Sequence, residues 1–235
     1  MRVALKRLTV IVPVFNEVNT IGAVIDKVVS LDLGDVELEL IISDDGSTDG
    51  TAEAISEIGS RHKKVVRMHT SPTNLGKGAA VRQGLALATG DIVLIQDADL
   101  EMDPREYERL LAPIVEGRAT VVYGSRFLSP SNRVPWRTRL ANRFLTVLTN
   151  LLFGSRLSDM ETAYKAFRID IVRSLKLRCV RFDFEPEVTA RVLRAGHRIH
   201  EVAVSYNPRT PLEGKKIRLI DGVEAILTLI RCRLT

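Results

Sequence analysis

Two hydrophobic periods alternate through the first half of the chain. Short continuous apolar runs at Leu8–Val14, Leu38–Ser43, Val65–His69, Ile92–Gln96 and Ala119–Tyr123 predict strands buried on both faces. Between them the spacing turns helical. Val18–Leu31 carries Ile21, Val24, Ile25, Val28 and Val29 along one stripe, and Thr51–Arg61, Gly78–Leu87 and Pro104–Val115 read the same way. Thr48 or Asp49 is the expected N-cap of the second helix. Repeated strand–helix units of this kind predict an α/β fold, with a mostly parallel central sheet and helices on both faces.

After Gly124 the rhythm changes. Residues 133–153 begin with Arg133, Arg137, Arg139 and Arg143 and run into the apolar stretch Phe144–Phe153. Pro186–Ala195 reads as a helix, His197–Tyr206 as a strand and Leu219–Leu229 as a last helix. No repeat, low-complexity tract or linker divides the chain, so residues 1–235 are expected to form one domain, its second half (125–235) more specialised than its first (1–124).

Composition narrows the class. At 235 residues, 45% hydrophobic and 27% charged, the sequence is that of a soluble globular protein. Lys and Arg number 34 against 29 Asp and Glu, and the net charge of +5 suits a phosphorylated ligand or an anionic surface. The basic residues are dispersed and aromatics make up only 5%, so a stacking platform for nucleic acid is not expected. Cys179 and Cys232 have no metal-ligand spacing and point to a reducing compartment. Neither a signal peptide nor a run of 18 or more apolar residues is present.

The candidate chemistry sits at strand ends. The first strand leads into Pro13-Val-Phe15-Asn-Glu17, the second into Asp44-Asp45-Gly-Ser-Thr-Asp49-Gly50, the fourth into Asp97-Ala98-Asp99-Leu-Glu101. In an open α/β sheet the carboxyl ends of the strands are where ligands bind. Asp97 and Asp99 read equally as an acidic turn or as a pair holding a hard divalent cation against substrate phosphates. Asp44–Gly50 reads as a turn and N-cap, which accounts less well for the paired Asp44-Asp45. Asn74-Leu-Gly-Lys77-Gly78 combines tight-turn glycines with a lysine able to meet a phosphate. It lacks Walker A spacing, and the first strand-to-helix turn lacks Gly-x-Gly-x-x-Gly, so a dinucleotide site is not expected. A phosphoacceptor signalling module would need its acid pair after the first strand, where this chain has Phe15-Asn-Glu17.

Taken in order and spacing, Val10–Glu17, Asp44–Asp49, Asn74–Gly78 and Asp97–Asp99 resemble the family 2 glycosyltransferases, and most closely their dolichol-phosphate mannose synthase and bacterial polyprenyl-phosphate branch. The resemblance runs to about Arg231 and implies a GT-A fold whose residues 1–124 bind a nucleoside-diphosphate sugar, GDP- or UDP-linked, while residues 125–235 face the acceptor and membrane. It implies that Pro13, Phe15, Glu17, Ser43 and Asp45 contact the nucleoside, with Lys77, Ala98 and Arg126 also lining the donor site. Asp97 and Asp99 would hold Mg²⁺ or Mn²⁺ on the diphosphate, with Glu101 as a further metal-site residue. Arg209 and Lys215 match a basic pair on an acceptor-side loop and are implied to bind the nucleotide sugar as well, in a stretch that reads otherwise as a solvated basic loop.

Asp159-Met-Glu161-Thr stands where other members carry a general base, so Asp99, Arg126, Asp159 and Glu161 are the catalytic candidates. A phosphate monoester, with a second pKa of about 6, arrives already charged, which leaves base catalysis and donor positioning both open for Asp159 and Glu161. The Gln-x-x-Arg-Trp motif of processive synthases is absent. The expected reaction is a single inverting transfer to a polyprenyl phosphate, with Arg126, Arg137 and Arg139 as candidates for the acceptor phosphate; the alternative is transfer to a soluble or polymer-bound sugar hydroxyl. Residues 133–153, with an apolar face of Phe144, Leu145, Val147, Leu148, Leu151, Leu152 and Phe153, read either as a membrane-facing helix or as a core helix, and the last helix, through Ile226, Leu227, Leu229 and Ile230, is a second membrane candidate. The chain is accordingly expected to be peripheral at the cytoplasmic face of a membrane.

Overall fold

The computed structural model describes residues 6–209 and 219–235. Its strands are β1 (Arg7–Val14), β2 (Glu37–Asp44), β3 (Val66–Thr70), β4 (Ile92–Ile95), β5 (Val121–Ser125), β6 (Lys165–Arg168) and β7 (Ile199–Ala203). Its helices are α1 (Ile21–Val29), α2 (Thr51–Arg61), α3 (Lys77–Leu87), α4 (Tyr107–Val115), α5 (Trp136–Phe153), α6 (Ile169–Ser174), α7 (Phe184–Arg194) and α8 (Leu219–Leu234). The strands form one seven-stranded sheet in the order β3-β2-β1-β4-β6-β5-β7.

Why the strands read as continuous apolar runs is now plain: alternate residues feed two different cores. Val10, Val12, Leu40, Ile42 and Leu94 pack with Ile21, Ile25, Ile55, Leu110 and Ile114 of α1, α2 and α4. Ile11, Ile41, Val93 and Ile95, one residue out of phase, pack on the opposite face with Val81, Leu85, Val188 and Val192 of α3 and α7. A third cluster joins α5, α7 and α8 through Leu145, Met160, Ala190, Ala225, Leu229 and Cys232.

Some expectations shift by a few residues. The fifth strand begins at Val121 rather than Ala119, the strand expected over 197–206 shortens to Ile199–Ala203, and the segment from Pro104 opens as a 3-10 turn before α4. The N-cap of α2 is Gly50, at φ +94°, not Thr48 or Asp49. Asp49 still serves the helix start, because its Oδ1 accepts from the Thr51 amide and hydroxyl. The core reading of residues 133–153 holds for one side of α5, and the other side is exposed. Leu145 is buried, and Leu148, Leu152 and Phe153 pack beside it, whereas Phe144, Val147 and Leu151 stand exposed together with Trp136 and Leu140. In α8, likewise, Leu229 is buried while Leu227 and Ile230 are exposed.

The sequence pattern did not announce β6, which runs antiparallel between β4 and β5. Since β4 and β5 flank it on either side pointing the other way, the residues leading into β6, Asp159 to Tyr164, arrive at the same edge where β1, β2, β4 and β5 end. That reversal brings the second half of the chain onto the acidic edge of the first.

The two halves also meet at backbone level. Gly78 and Ala79, in the first turn of α3, donate to the carbonyls of Arg181 and Val180 at 2.9 Å each. A Cβ on Gly78 would lie 2.9 Å from Cys179 C and Val180 N, and one on Gly76 would lie 2.5 Å from Val180 O. Backbone cannot yield as a side chain can. Gly78→Ala is therefore expected to lose on the order of 1–2 kcal/mol net, the clash outweighing the ~1 kcal/mol that alanine gains in a helix, measured as a lower urea midpoint with unchanged slope.

Candidate active site

Loops after β1, β2 and β3 are stitched together by their own polar residues. Asn16, held at φ +51°, donates its amide to Ser47 Oγ at 2.9 Å and accepts from the Thr48 amide at 2.8 Å. Asp44 Oδ1 accepts from Ser47 N and Oγ. The Asp45 carboxylate accepts from the amides of Leu75 (2.9 Å) and Gly76 (2.6 Å), so it fixes the loop that carries Lys77. Ser43, next to Pro13 in register, is buried with its Oγ unpartnered, as is Asp44 Oδ2. Partnerless buried oxygens normally cost about 1–3 kcal/mol each, and their presence at the acidic strand ends calls for a reason other than stability.

After β4, the acids are already engaged by cations of the chain itself. Lys77 Nζ lies 2.7 Å from Asp97 Oδ1 and 2.7 Å from Glu185 Oε1 of α7. Burial by itself would lower the Lys77 pKa, but these two carboxylates more than reverse that and hold it raised. Arg209 bridges Glu17, through Nη1 at 3.1 Å and Nη2 at 3.0 Å, and Asp99, at 3.2 Å. Its amide donates to Glu101 Oε1 at 2.8 Å. Thr20 ties the same group together, donating to Ala98 O at 2.9 Å and Glu17 Oε2 at 3.0 Å. Glu17, Ala98, Asp99, Glu101 and Arg209 thus come together, and Asp97 pairs with Lys77, whereas Lys215 lies outside the described residues.

A metal would find two usable carboxylates here. Among the described residues, no group of three or more His, Cys, Asp or Glu side chains is assembled to hold an ion. Asp97 and Asp99 supply hard oxygens in the number Mg²⁺ takes from protein when substrate phosphates complete its shell, so the donor set fits Mg²⁺ or Mn²⁺ bound together with a diphosphate.

On the second half of the edge, Asp159 is fully buried beneath Arg126. Its Oδ2 accepts from the Arg126 amide (2.9 Å) and Nε (2.8 Å), and its Oδ1 from Arg126 Nη2 (2.8 Å) and Asn142 Nδ2 (2.6 Å). Burial would push this carboxyl up, but Arg126 holds it below the ordinary range. With each oxygen accepting twice, Asp159 is poorly placed to take a proton and well placed to aim Arg126. Glu161 is the opposite case. Its Oε1 is buried without a partner. Burial, reinforced by Glu185, raises its pKa. Lys165, fully buried on β6, donates to the carbonyls of Met160 and Thr162 and so shapes the turn that presents both acids.

Beside Arg126 opens a cavity of about 500 Å³ between the segment after β5 and α5, lined among others by Phe127, Asn132, Arg139, Arg143 and Ser158. Arg139 lines it together with Arg126. Arg137 does not; it stacks on Trp136, 5.3 Å from the ring centroid. The sequence reading missed Arg143 as a cavity residue, and it missed Glu185, Lys165 and Asn142 altogether. Glu185 reads from sequence only as an acid in the first turn of a helix, and nothing local signals that it meets a lysine more than a hundred residues earlier.

Residues 9–176 match the glycosyl transferase family 2 profile. The chain belongs to glycosyl transferase family 2. It is 28% identical over 237 residues to the undecaprenyl-phosphate mannosyltransferase of Micrococcus luteus, covering 96% of this chain and 93% of that protein. It is 27% identical to the glycosyltransferase AglD of Haloferax volcanii over 92% of this chain, which spans only 35% of AglD. The crystal structure of glucosyl-3-phosphoglycerate synthase from Mycobacterium tuberculosis with Mn²⁺, UDP and phosphoglyceric acid superposes with a TM-score of 0.74 at 24% identity, covering 97% of this chain and 78% of that one. The fold is GT-A, as the strand-end motifs implied.

Because the Glu161 pKa is raised in the folded chain, the fold binds more protons than the unfolded chain above the ordinary glutamate value of about 4.3. Stability is therefore expected to fall as pH rises from there toward neutrality. Glu161→Gln should flatten that slope and be the more stable protein at pH 8 by about 1 kcal/mol, as read from urea unfolding at a series of pH values. An unchanged slope would remove Glu161 as its source.

Proposed function

We propose that this chain is a non-processive, inverting glycosyltransferase that moves a sugar from a nucleoside-diphosphate sugar to a polyprenyl phosphate, working as one catalytic unit whose residues 1–124 take the donor and 125–235 the acceptor. The observation that carries this reading is the arginine-lined cavity beside Arg126, which opens against α5 and its exposed apolar stripe. A phosphate headgroup suits the cavity and a prenyl chain suits the stripe. The similarity to an undecaprenyl-phosphate mannosyltransferase along nearly the whole of both chains supports the same acceptor.

In this reading, the strand-end loops bind the donor: Pro13, Phe15, Glu17, Ser43 and Asp45 around the nucleoside, and Asp97 and Asp99 beside the diphosphate. A divalent ion held there would neutralise charge on the diphosphate leaving group. One acceptor phosphate oxygen attacks the anomeric carbon from the opposite face; the new C–O bond forms as the bond to the diphosphate breaks, and the nucleoside diphosphate leaves with the electron pair. Arg126, aimed by Asp159, stabilises the phosphate charges on either side of that step. The nucleophile needs no deprotonation, in keeping with an Asp159 that has no oxygen to spare.

A second reading, transfer to a sugar hydroxyl, is favoured by one observation. Glu161, with an unpartnered buried oxygen and a raised pKa, would be suited to accept a proton from a neutral acceptor. A panel of GDP- and UDP-sugars offered with a short polyprenyl phosphate, and in parallel with soluble glycosides, separates the two by the mass of the product. Glycolipid formation is expected with one donor, and Asp99→Asn should lower it by on the order of 10²–10³-fold. Product on soluble glycosides alone would replace the first reading with the second.

The same geometry supports contact with a membrane surface. Trp136, Leu140, Phe144, Val147 and Leu151 lie at helical spacing on α5, and Val223, Leu227, Ile230 and Leu234 do so on the neighbouring α8, all exposed, with Arg133, Arg137, Arg139 and Arg143 alongside. Among the described residues no helix is long and apolar enough to cross a membrane. The chain would lie on the cytoplasmic surface, its apolar stripes in the headgroup region. Flotation with anionic vesicles is expected to carry the wild-type chain, and Leu140→Asp combined with Leu151→Asp to leave it at the bottom of the gradient. Equal flotation of both would rule out this face as the contact.

A further inference from the structure

The Lys77 ammonium lies midway between two carboxylates of different station. Asp97, 2.7 Å away, follows β4 on the acidic edge; Glu185, also 2.7 Å away, is the second residue of α7 and comes from the second half of the chain. Lys77 and Glu185 are largely buried, 16% and 7% exposed, and Asp97 is more open at 29%. The bridge is not a chance of one long side chain. The first turn of α3 is fixed to the Cys179–Arg181 backbone by the Gly78 and Ala79 hydrogen bonds, and its preceding loop by Asp45. Lys77 and Glu185 therefore start from positions set by backbone contacts on both sides. Glu185 itself is held in the first turn of α7, whose Thr189 hydroxyl donates to the Glu185 carbonyl at 2.7 Å.

A divalent ion beside Asp97 would repel the Lys77 ammonium, and a lysine with no other acid nearby would compete with the ion for that carboxylate. Burial makes the competition severe, since charges out of water interact strongly and an unpaired buried ammonium is costly. Glu185 gives Lys77 a second carboxylate already at hydrogen-bond distance. From Asp97 and Glu185 together, the structure assigns Glu185 as a positioning residue of the donor site: it retains Lys77 when Asp97 turns to a metal–diphosphate, so that the lysine gives up one acid without leaving the site. This rests on the donor reading above, and it adds a residue that acts through Lys77 rather than by touching substrate.

The charged neighbours of Glu185 are Lys77 of α3, Lys165 of β6 and Glu161 of the turn before it. Loss of the Glu185 charge therefore acts on more than one group, and a double-mutant cycle isolates the one in question. The probes are Mn²⁺ and UDP or GDP, with binding read by calorimetry and fold integrity by thermal unfolding. Glu185→Gln should weaken Mn²⁺-dependent nucleotide binding by roughly tenfold in the presence of Lys77 and by less than about twofold in Lys77→Met, the size of coupling expected within one ionic network. Glu185→Asp, which keeps the charge, should recover most of the affinity. Equal losses from Glu185→Gln in both backgrounds, or no loss in either, would overturn the assignment. If the wild-type chain bound neither diphosphate with Mn²⁺, the donor reading itself would fall, an outcome separate from additive mutants on a binding-competent protein.

Discussion

The buried pair of Arg126 and Asp159 is the constraint around which the two halves of the site are arranged. Arg126 leaves the end of β5 and Asp159 precedes β6, so the pair joins an outgoing strand to an incoming one at a single edge of the sheet. An isolated buried charge of either sign would be expensive, and breaking such a pair commonly costs about 3–5 kcal/mol. The pair forms only if β6 runs antiparallel to its neighbours. Asn142 from α5 supplies the remaining donor to Asp159, and Glu201 of β7 accepts the amides of Ser158 and Asp159, so α5 and β7 are oriented by the same few atoms.

Around that pair the site divides by charge. Acids at the ends of β1 and β4 face cations, Lys77 from α3 and Arg209 from beyond β7, while those at the end of β2 are met by backbone amides and a hydroxyl. Such an arrangement keeps a strongly acidic edge stable while nothing is bound. It also means that a charged ligand enters by exchanging partners, not by filling a vacuum of charge, and the affinity it shows is a difference between two well-paired states.

Much of this was legible in the sequence, for identifiable reasons. Strands buried on both faces announce themselves as apolar runs, and the acids at their ends are conspicuous because the runs stop at them. The first-half elements fall where the periodicity puts them, within about three residues at either end. β6 escaped notice because only four residues pair, and two of those, Lys165 and Arg168, are basic. A lysine fully buried over the Tyr123 ring, 4.5 Å from its centroid, has no signature distinguishable from a solvated one. The same holds for Glu185 and Asn142, whose roles depend on partners brought up by topology. Residues that belong to a motif could be found from spacing; residues that hold the motif in place could not.

The tight approach of Gly76 and Gly78 to the Cys179–Arg181 backbone has a consequence for how the protein comes into being. The loop between β3 and α3 lies in the first third of the chain, yet its final shape needs a segment made about a hundred residues later, and one cation of the acidic edge, Arg209, comes later still. During synthesis from the N-terminus, the early strands can pair as they emerge, but the cleft between them stays unfinished until α7 and the end of β7 have followed. A nascent chain that has not yet reached Arg209 would expose Glu17 and Asp99 without the cation that bridges them, so the acidic edge acquires its balance of charge late, long after the strands that carry it have been made.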